Sequence, residues 1–233
     1  MVDIHSHILF GIDDGASDIE ESLEMLKAAQ KANVEVLVAT PHFREHVLNP
    51  EKTYENFKLF KKKSIDYNFN IAIKLGYEIM LSPILETAVD IVEKYDMDNT
   101  GYILMEIPHS YYIEQIFRIL EILLWKSKFK IIIAHPERLL GSLFDKKMIE
   151  KLKEMGCLMQ INIGSIKGVY GEKAKKMAKY LIVNRMAEFV ASDAHSVRYY
   201  SWYSEAYKTV IKWSDEGYAK KIFHENGMML FSI

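Results

Sequence analysis

Cysteine is almost missing from this chain: Cys157 is the one thiol in 233 residues. A single thiol cannot close an internal disulfide, which fits a reducing, cytoplasmic setting. Net charge is nearly missing as well. Thirty Lys and Arg against thirty-two Asp and Glu leave −2, so no global field draws the chain to nucleic acid or to an acidic membrane surface. The one basic run, KKK at 61 to 63, falls in an expected helix and reads as a solvated face. No apolar run approaches the ~18 residues of a membrane span, so no membrane insertion is expected. The first residues, with Asp3, Asp13, Asp14 and Asp18, lack the basic-then-apolar order of a signal peptide. Proline and glycine are sparse, and no linker, repeat or low-complexity tract divides the chain, so a single domain over 1–233 is expected.

What is present is ample material for a core, 49% hydrophobic residues with 27% charged. Short β-rich runs alternate with helical patterns. VDIHSH (2–7) precedes an amphipathic stretch over 17–33, in which Ser17 and Glu20 read as a capping box and Ile19, Leu23 and Leu26 as the buried stripe. VEVLVAT (34–40), a helix over 51–67, FNIAIKLGYEI (69–79), a helix over 82–94 and YILMEI (102–107) follow. Then come a helix over 111–128, KIIIAH (130–135), a helix near 145–155, CLMQINI (157–163), a helix over 172–184, AEFVAS (187–192) and a helical stretch over 202–226. Seven β segments separated by helices, several apolar on both faces, predict an α/β fold with a parallel sheet buried on both sides and closed into a seven-stranded (βα)7 barrel. An open dinucleotide-binding sheet is disfavoured, because LFGIDDG lacks the G-x-G-x-x-G fingerprint.

The polar residues collect where those strands end. His5 and His7 close the first and, at i and i+2 on an extended segment, share a face. His42 follows the second strand in ATPHF, Glu78 ends the third, Glu106 the fourth and His135, in AHPER, the fifth; Asp193 and His195, in SDAH, end the seventh. In an α/β barrel these positions meet on the C-terminal rim, where such folds keep their catalytic groups. His46, His109 and His224 fall elsewhere and read as surface or structural residues. Five imidazoles and four carboxylates, counting Asp14, exceed one tetrahedral zinc and suit two or three divalent ions. The mixed N/O donor set accommodates Mn, Fe or Zn, and its carboxylate share favours Mn.

DIHSHILFGIDDG, ATPHF, AHPER and SDAH resemble, in order and spacing, the motifs of the PHP (polymerase and histidinol phosphatase) superfamily, most closely its bacterial capsule-biosynthesis protein-tyrosine phosphatases. The resemblance implies a distorted TIM-like barrel of seven strands holding three ions. It assigns the first ion to His5, His7, Glu78 and Asp193, the second to Glu78, Glu106 and His135, and the third to Asp14, His42 and His195. Many members have His where this chain has Asp14 and Glu106. After ATPHF, Arg44 is the one basic residue that the strand-two loop offers.

The implied chemistry is hydrolysis of phosphotyrosine on a protein. A water bridging two ions ionises near pH 7 and can attack phosphorus in line while the ions clamp the phosphoryl oxygens, with Glu78 the bridging carboxylate. Arg138 and Arg198 are the candidates for forked contacts to phosphate. Tyrosinate, with a conjugate-acid pKa of about 10, leaves with little help from a general acid. The thiol route is disfavoured: cysteine-dependent phosphatases use C-x5-R, whereas six positions after Cys157 stands Ile163. Cys157 reads as a core residue. By the same resemblance the substrate is the tyrosine-rich tail of a capsule or exopolysaccharide tyrosine kinase. The alternatives are another PHP phosphoesterase such as a histidinol-phosphate phosphatase, and a barrel serving only as a scaffold; a proofreading nuclease would need a basic track that is not visible.

Overall fold

Strand and helix segments alternate along the chain almost as its periodicity predicts. The computed structural model describes residues 1–43, 49–86, 89–108, 112–126, 128–139 and 146–232. Arg44, His46 and His109 lie outside those residues. The strands are β1 (Val2–Ser6), β2 (Val36–Ala39), β3 (His42–Phe43), β4 (Ala72–Leu75), β5 (Glu78–Met80), β6 (Tyr102–Glu106), β7 (Lys130–Ala134), β8 (Leu158–Asn162) and β9 (Phe189–Ala191). Among the described residues the helices are α1 (Ile19–Lys31), α2 (Pro50–Asp66), α3 (Val89–Val92), α4 (Ile113–Lys126), α5 (Lys146–Glu154), α6 (Ile163–Lys167), α7 (Glu172–Val183), α8 (Tyr203–Trp213), α9 (Glu216–Lys220) and α10 (Asn226–Leu230).

Among the described residues every strand pair is parallel, in two sheets of order β1-β2-β4 and β3-β5-β6-β7-β8-β9. The expected third strand is split in two at Gly76–Tyr77, and past Thr40–Pro41 the expected second strand is followed by a further short one, β3. Pro41 has no N–H to give a ladder. Backbone bonds still cross the break, from Gly76 N to Ala39 O at 2.9 Å and from Glu78 N to Pro41 O at 3.1 Å. The ladder therefore does not close as one seven-stranded barrel. Where closure was expected, a bridge between Ser6 and Ala194 and the bonds His7 N to Ala194 O (2.9 Å) and Asp193 N to His5 O (2.8 Å) join the end of β1 to the segment after β9.

Alternation sets the layers. Along β7, Ile132 and Ala134 pack with Val2, Ile4, Val36, Val38 and Leu104, whereas Ile131 and Ile133 pack with Ile116, Ile119, Leu120 and Leu123 of α4. Helix α1 starts one residue later than expected: Asp18 caps Glu21 N at 2.8 Å, Glu21 reaches back to Ser17 N at 2.9 Å, and the buried positions are Ser22, Met25, Leu26 and Ala29. Leu26 alone of the expected stripe is fully buried; Ile19 and Leu23 are partly buried against the same core. The expected helix over 82–94 is instead two 3-10 turns flanking α3, and the C-terminal stretch breaks at Ser214, where Asp215 caps Tyr218 N.

Candidate metal centre

Six of the nine described strands bring polar side chains to one place. His5 and His7 leave β1, His42 begins β3, Glu78 begins β5, Glu106 ends β6, His135 follows β7 and Asp193 with His195 follow β9. Asp14 comes from the 8–16 loop, which folds back through bonds from Ala16 N to His7 O (3.1 Å) and Gly11 N to Ala16 O (2.8 Å). That return requires a glycine at 15, because a Cβ there would stand 1.9 Å from His7 O. His135 and Asp193 hold left-handed backbone conformations, with φ of 34° and 50°. Such strain at non-glycine residues collects at functional sites.

Four atoms form the tightest group. His5 Nε2 and His7 Nε2 are 3.2 Å apart, and each lies 3.3 or 3.4 Å from Glu78 Oε2 and from Asp193 Oδ1. Their protons are accounted for elsewhere. His7 Nδ1 donates to Asp13 Oδ2 at 2.7 Å, and His5 Nδ1 donates to Gln160 Oε1 at 2.9 Å, since Gln160 Nε2 is already given to Asn162 Oδ1. Both Nε2 atoms thus face carboxylate oxygens. Glu78 Oε2 is buried and has no hydrogen-bond partner, although His42 Nδ1 stands 2.9 Å away. Atoms gathered at such distances need positive charge among them, from protons on the imidazoles or from a metal ion. Donors ~2.1 Å from a tetrahedral ion stand about 3.4 Å apart, so the group fits a divalent metal. Charge tells the same story: burial alone lowers the His5 imidazole, yet Glu78 and Asp193 outweigh it and raise it to about 9. Burial pushes the Glu78 and Asp193 carboxyls up, but His5, with the neighbouring imidazoles, holds both well below the usual range.

Two further groupings flank this one. Glu78 Oε1 lies 2.9 Å from His135 Nε2, which is 3.8 Å from Glu106 Oε1. On the other side Asp14 Oδ1 stands 3.4 Å from His42 Nε2 and 3.5 Å from His195 Nε2. Donor atoms within 4.8 Å of one another group as His7, Asp14, His42 and His195; as His5, Glu78 and His135; as His5, His7 and Asp193; and as His42, Glu78 and Glu106. These overlap the three expected sets, with His7 and His42 each shared more widely than the resemblance implied. All nine expected donors meet at this rim.

The two arginines fare differently. Arg138, one third exposed, gives Nη1 to Asp193 Oδ2 at 2.9 Å at the edge of the cluster. Arg198 is exposed, with its guanidinium 5.4 Å from the Tyr199 ring, and that ring is 6.0 Å from His195. Three supporting residues escaped the sequence reading. Asp13 holds His7 and accepts from His42 N at 2.9 Å; Gln160 holds His5; Asn162 donates to Asp193 Oδ2 at 2.7 Å. A signal existed for each: the doubled aspartate of GIDDG, and two amides at i, i+2 in the otherwise apolar CLMQINI. Cys157 is buried, and burial pushes its thiol up to about 12.

Known proteins resemble this chain over most of its length. The chain is 32% identical over 203 residues, 85% of its length and 78% of the relative's, to the tyrosine-protein phosphatase YwqE of Bacillus subtilis. A solved structure from the work on YwqE of B. subtilis and CpsB of Streptococcus pneumoniae, metal-dependent tyrosine phosphatases, superposes with a TM-score of 0.79 at 30% identity, covering 100% of this chain and 92% of that one. The histidinol phosphate phosphatase of Lactococcus lactis shares the fold alone, at a TM-score of 0.56 and 12% identity over 91% of this chain and 93% of its own. The model of the capsular polysaccharide synthesis family CpsB/CapC matches residues 1–232, and the chain belongs to that family.

Proposed function

We propose that the chain is a metal-dependent protein-tyrosine phosphatase whose centre is the nine-residue donor cluster. The observation that carries the reading is Glu78 Oε2, a buried carboxylate oxygen without a hydrogen-bond partner, faced by Nε2 of His5 and His7, whose Nδ1 atoms are engaged with Gln160 and Asp13. His5, His7, Glu78 and Asp193 would hold one ion, Glu78, Glu106 and His135 a second, and Asp14, His42 and His195 a third. Bound divalent ions supply Lewis-acid neutralisation of the phosphoryl charge and water acidic enough to ionise near neutrality. The carboxylate share of the donors favours Mn.

The chain's own residues do the positioning. Asp13 and Gln160 fix the tautomers of His7 and His5, so that Nε2 of each faces the cluster. Arg138 spends one N–H on Asp193 and keeps others for phosphate oxygens, a planar fork suited to them. No neighbouring cysteine nucleophile is called for, and the tyrosinate leaving group, with a conjugate-acid pKa of about 10, asks little of a proton donor. The substrate we propose is a tyrosine-phosphorylated protein, the tail of a bacterial capsule or exopolysaccharide kinase, met in the cytoplasm. Phosphate release should be measured from a phosphotyrosine peptide and from histidinol phosphate, with the protein as purified, chelated and resupplied with Mn. Turnover of the peptide that chelation abolishes and Mn restores is expected; preference for histidinol phosphate, or full activity in chelator, would overturn the reading.

A further inference from the structure

Beside the donor cluster the chain places aromatic rings that metal binding does not use. The Arg138 guanidinium lies 4.5 Å from the centre of the Tyr170 ring while its Nη1 meets Asp193. Tyr170 comes between α6 and α7, and it rests on Gly164. A Cβ at Gly164 would stand 2.7 Å from Tyr170 Cε2 and 3.3 Å from Trp202 Cζ3. Gly164 lies within α6 and its φ is not positive, so the glycine serves space and not backbone freedom. Beyond Tyr170 the rings continue, with Trp202 4.7 Å from Tyr199 and Tyr199 6.0 Å from His195. Burial, then the Asp193 carboxylate, raise the Tyr170 phenol far above its ordinary value and keep it neutral.

Resting on the reading of Arg138 as the phosphate contact, we propose that Tyr170, seated on Gly164, is the positioning residue for Arg138. Its ring face and the Asp193 carboxylate hold the guanidinium from two directions. An arginine left free at the rim would lose its conformational freedom only on binding phosphate, which weakens binding. A stacked one has lost it already, and a guanidinium over an aromatic face gains a cation–π contact as well. The hydroxyl of Tyr170 is not needed for this; the ring is.

The test uses the full chain loaded with Mn and reads binding of inorganic phosphate by calorimetry, with KM and kcat on a phosphotyrosine peptide and metal content beside it. Tyr170→Leu should weaken phosphate binding about tenfold and raise KM more than it lowers kcat. Tyr170→Phe should match wild type, and Gly164→Ala, which displaces the ring, should resemble Tyr170→Leu. In an Arg138→Ala background Tyr170→Leu should cost nothing more. Effects of the two substitutions that multiply, a Tyr170→Phe as impaired as Tyr170→Leu, or loss of metal in Tyr170→Leu would overturn the inference. Phosphate affinity lost in Arg138→Ala but intact in Tyr170→Leu would overturn it alone. Affinity intact in Arg138→Ala would remove the phosphate role of Arg138 and the inference with it.

Discussion

Glu78 touches four imidazoles of the centre: its two oxygens lie within 3.4 Å of nitrogens from His5, His7, His42 and His135. Glu78→Gln keeps the shape but puts a neutral amide, with one oxygen and no negative charge, where a carboxylate joins two groupings. We expect metal content to fall and phosphotyrosine turnover to drop by several orders of magnitude. Cys157→Ser should keep nearly full turnover, and the buried native thiol should resist alkylation at neutral pH. A dead Cys157→Ser beside a healthy Glu78→Gln would reverse the assignment. Arg138→Ala should cost about 2–4 kcal/mol in kcat/KM, the scale of charge-assisted contacts to a developing anion, and Arg198→Ala less. The opposite ranking in a peptide assay would transfer the clamp to Arg198. Donors such as His5 and Asp193 were legible in the sequence because ligand chemistry is carried by residue type and strand ends by pattern. Asp13 and Gln160 were not, because which partner a polar residue orients depends on how the chain returns through space.

At the scale of elements, the loop after β1 is the most exacting piece. Gly15→Ala would drive a methyl into His7 O, so the backbone carrying Asp13 and Asp14 must move. Both lowered Tm and lost turnover are expected. Asp18→Ala, which removes the α1 cap, should cost about 1 kcal/mol of stability and leave turnover intact. Thermal unfolding and kinetics on the two variants separate a lost site from a loosened fold; equal turnover in both would refute the placement of this loop in the centre. Strand and helix order was readable because apolar runs such as KIIIA have one environment that suits them. Boundaries were less so. The capping register slipped by one because Ser17 and Asp18 both cap well, and Asp18 wins the bond to Glu21 N. The break at Pro41 was written in the sequence, but whether a proline ends a ladder or only interrupts it depends on the neighbouring strand.

For the molecule as a whole, pH separates the metal-free from the metal-loaded state. The His5 pKa is raised in the fold, so its contribution is complete below the unfolded value of about 6.5 and disappears as pH rises through about 9. Glu78 and Asp193 are depressed, so theirs is present above about pH 4 and is lost as acid protonates them. Chelated protein should therefore lose Tm between pH 6.5 and 9. Loaded protein needs neutral imidazoles and should hold or gain over the same range. Parallel Tm curves for the two states would refute protons and ions sharing these sites. Parallel α/β architecture was legible at this scale; the division into sheets of three and six strands was not, since closure rests on geometry between distant segments. The bond from Asp193 N to His5 O joins the first strand to the last. A chain emerging from the ribosome amino end first displays His5 and His7 long before Asp193 exists to complete their group. Capture of the ion proposed for His5, His7, Glu78 and Asp193 would then be timed by translation, and a chain stalled before Phe189 is expected to retain less metal on dialysis than the full chain.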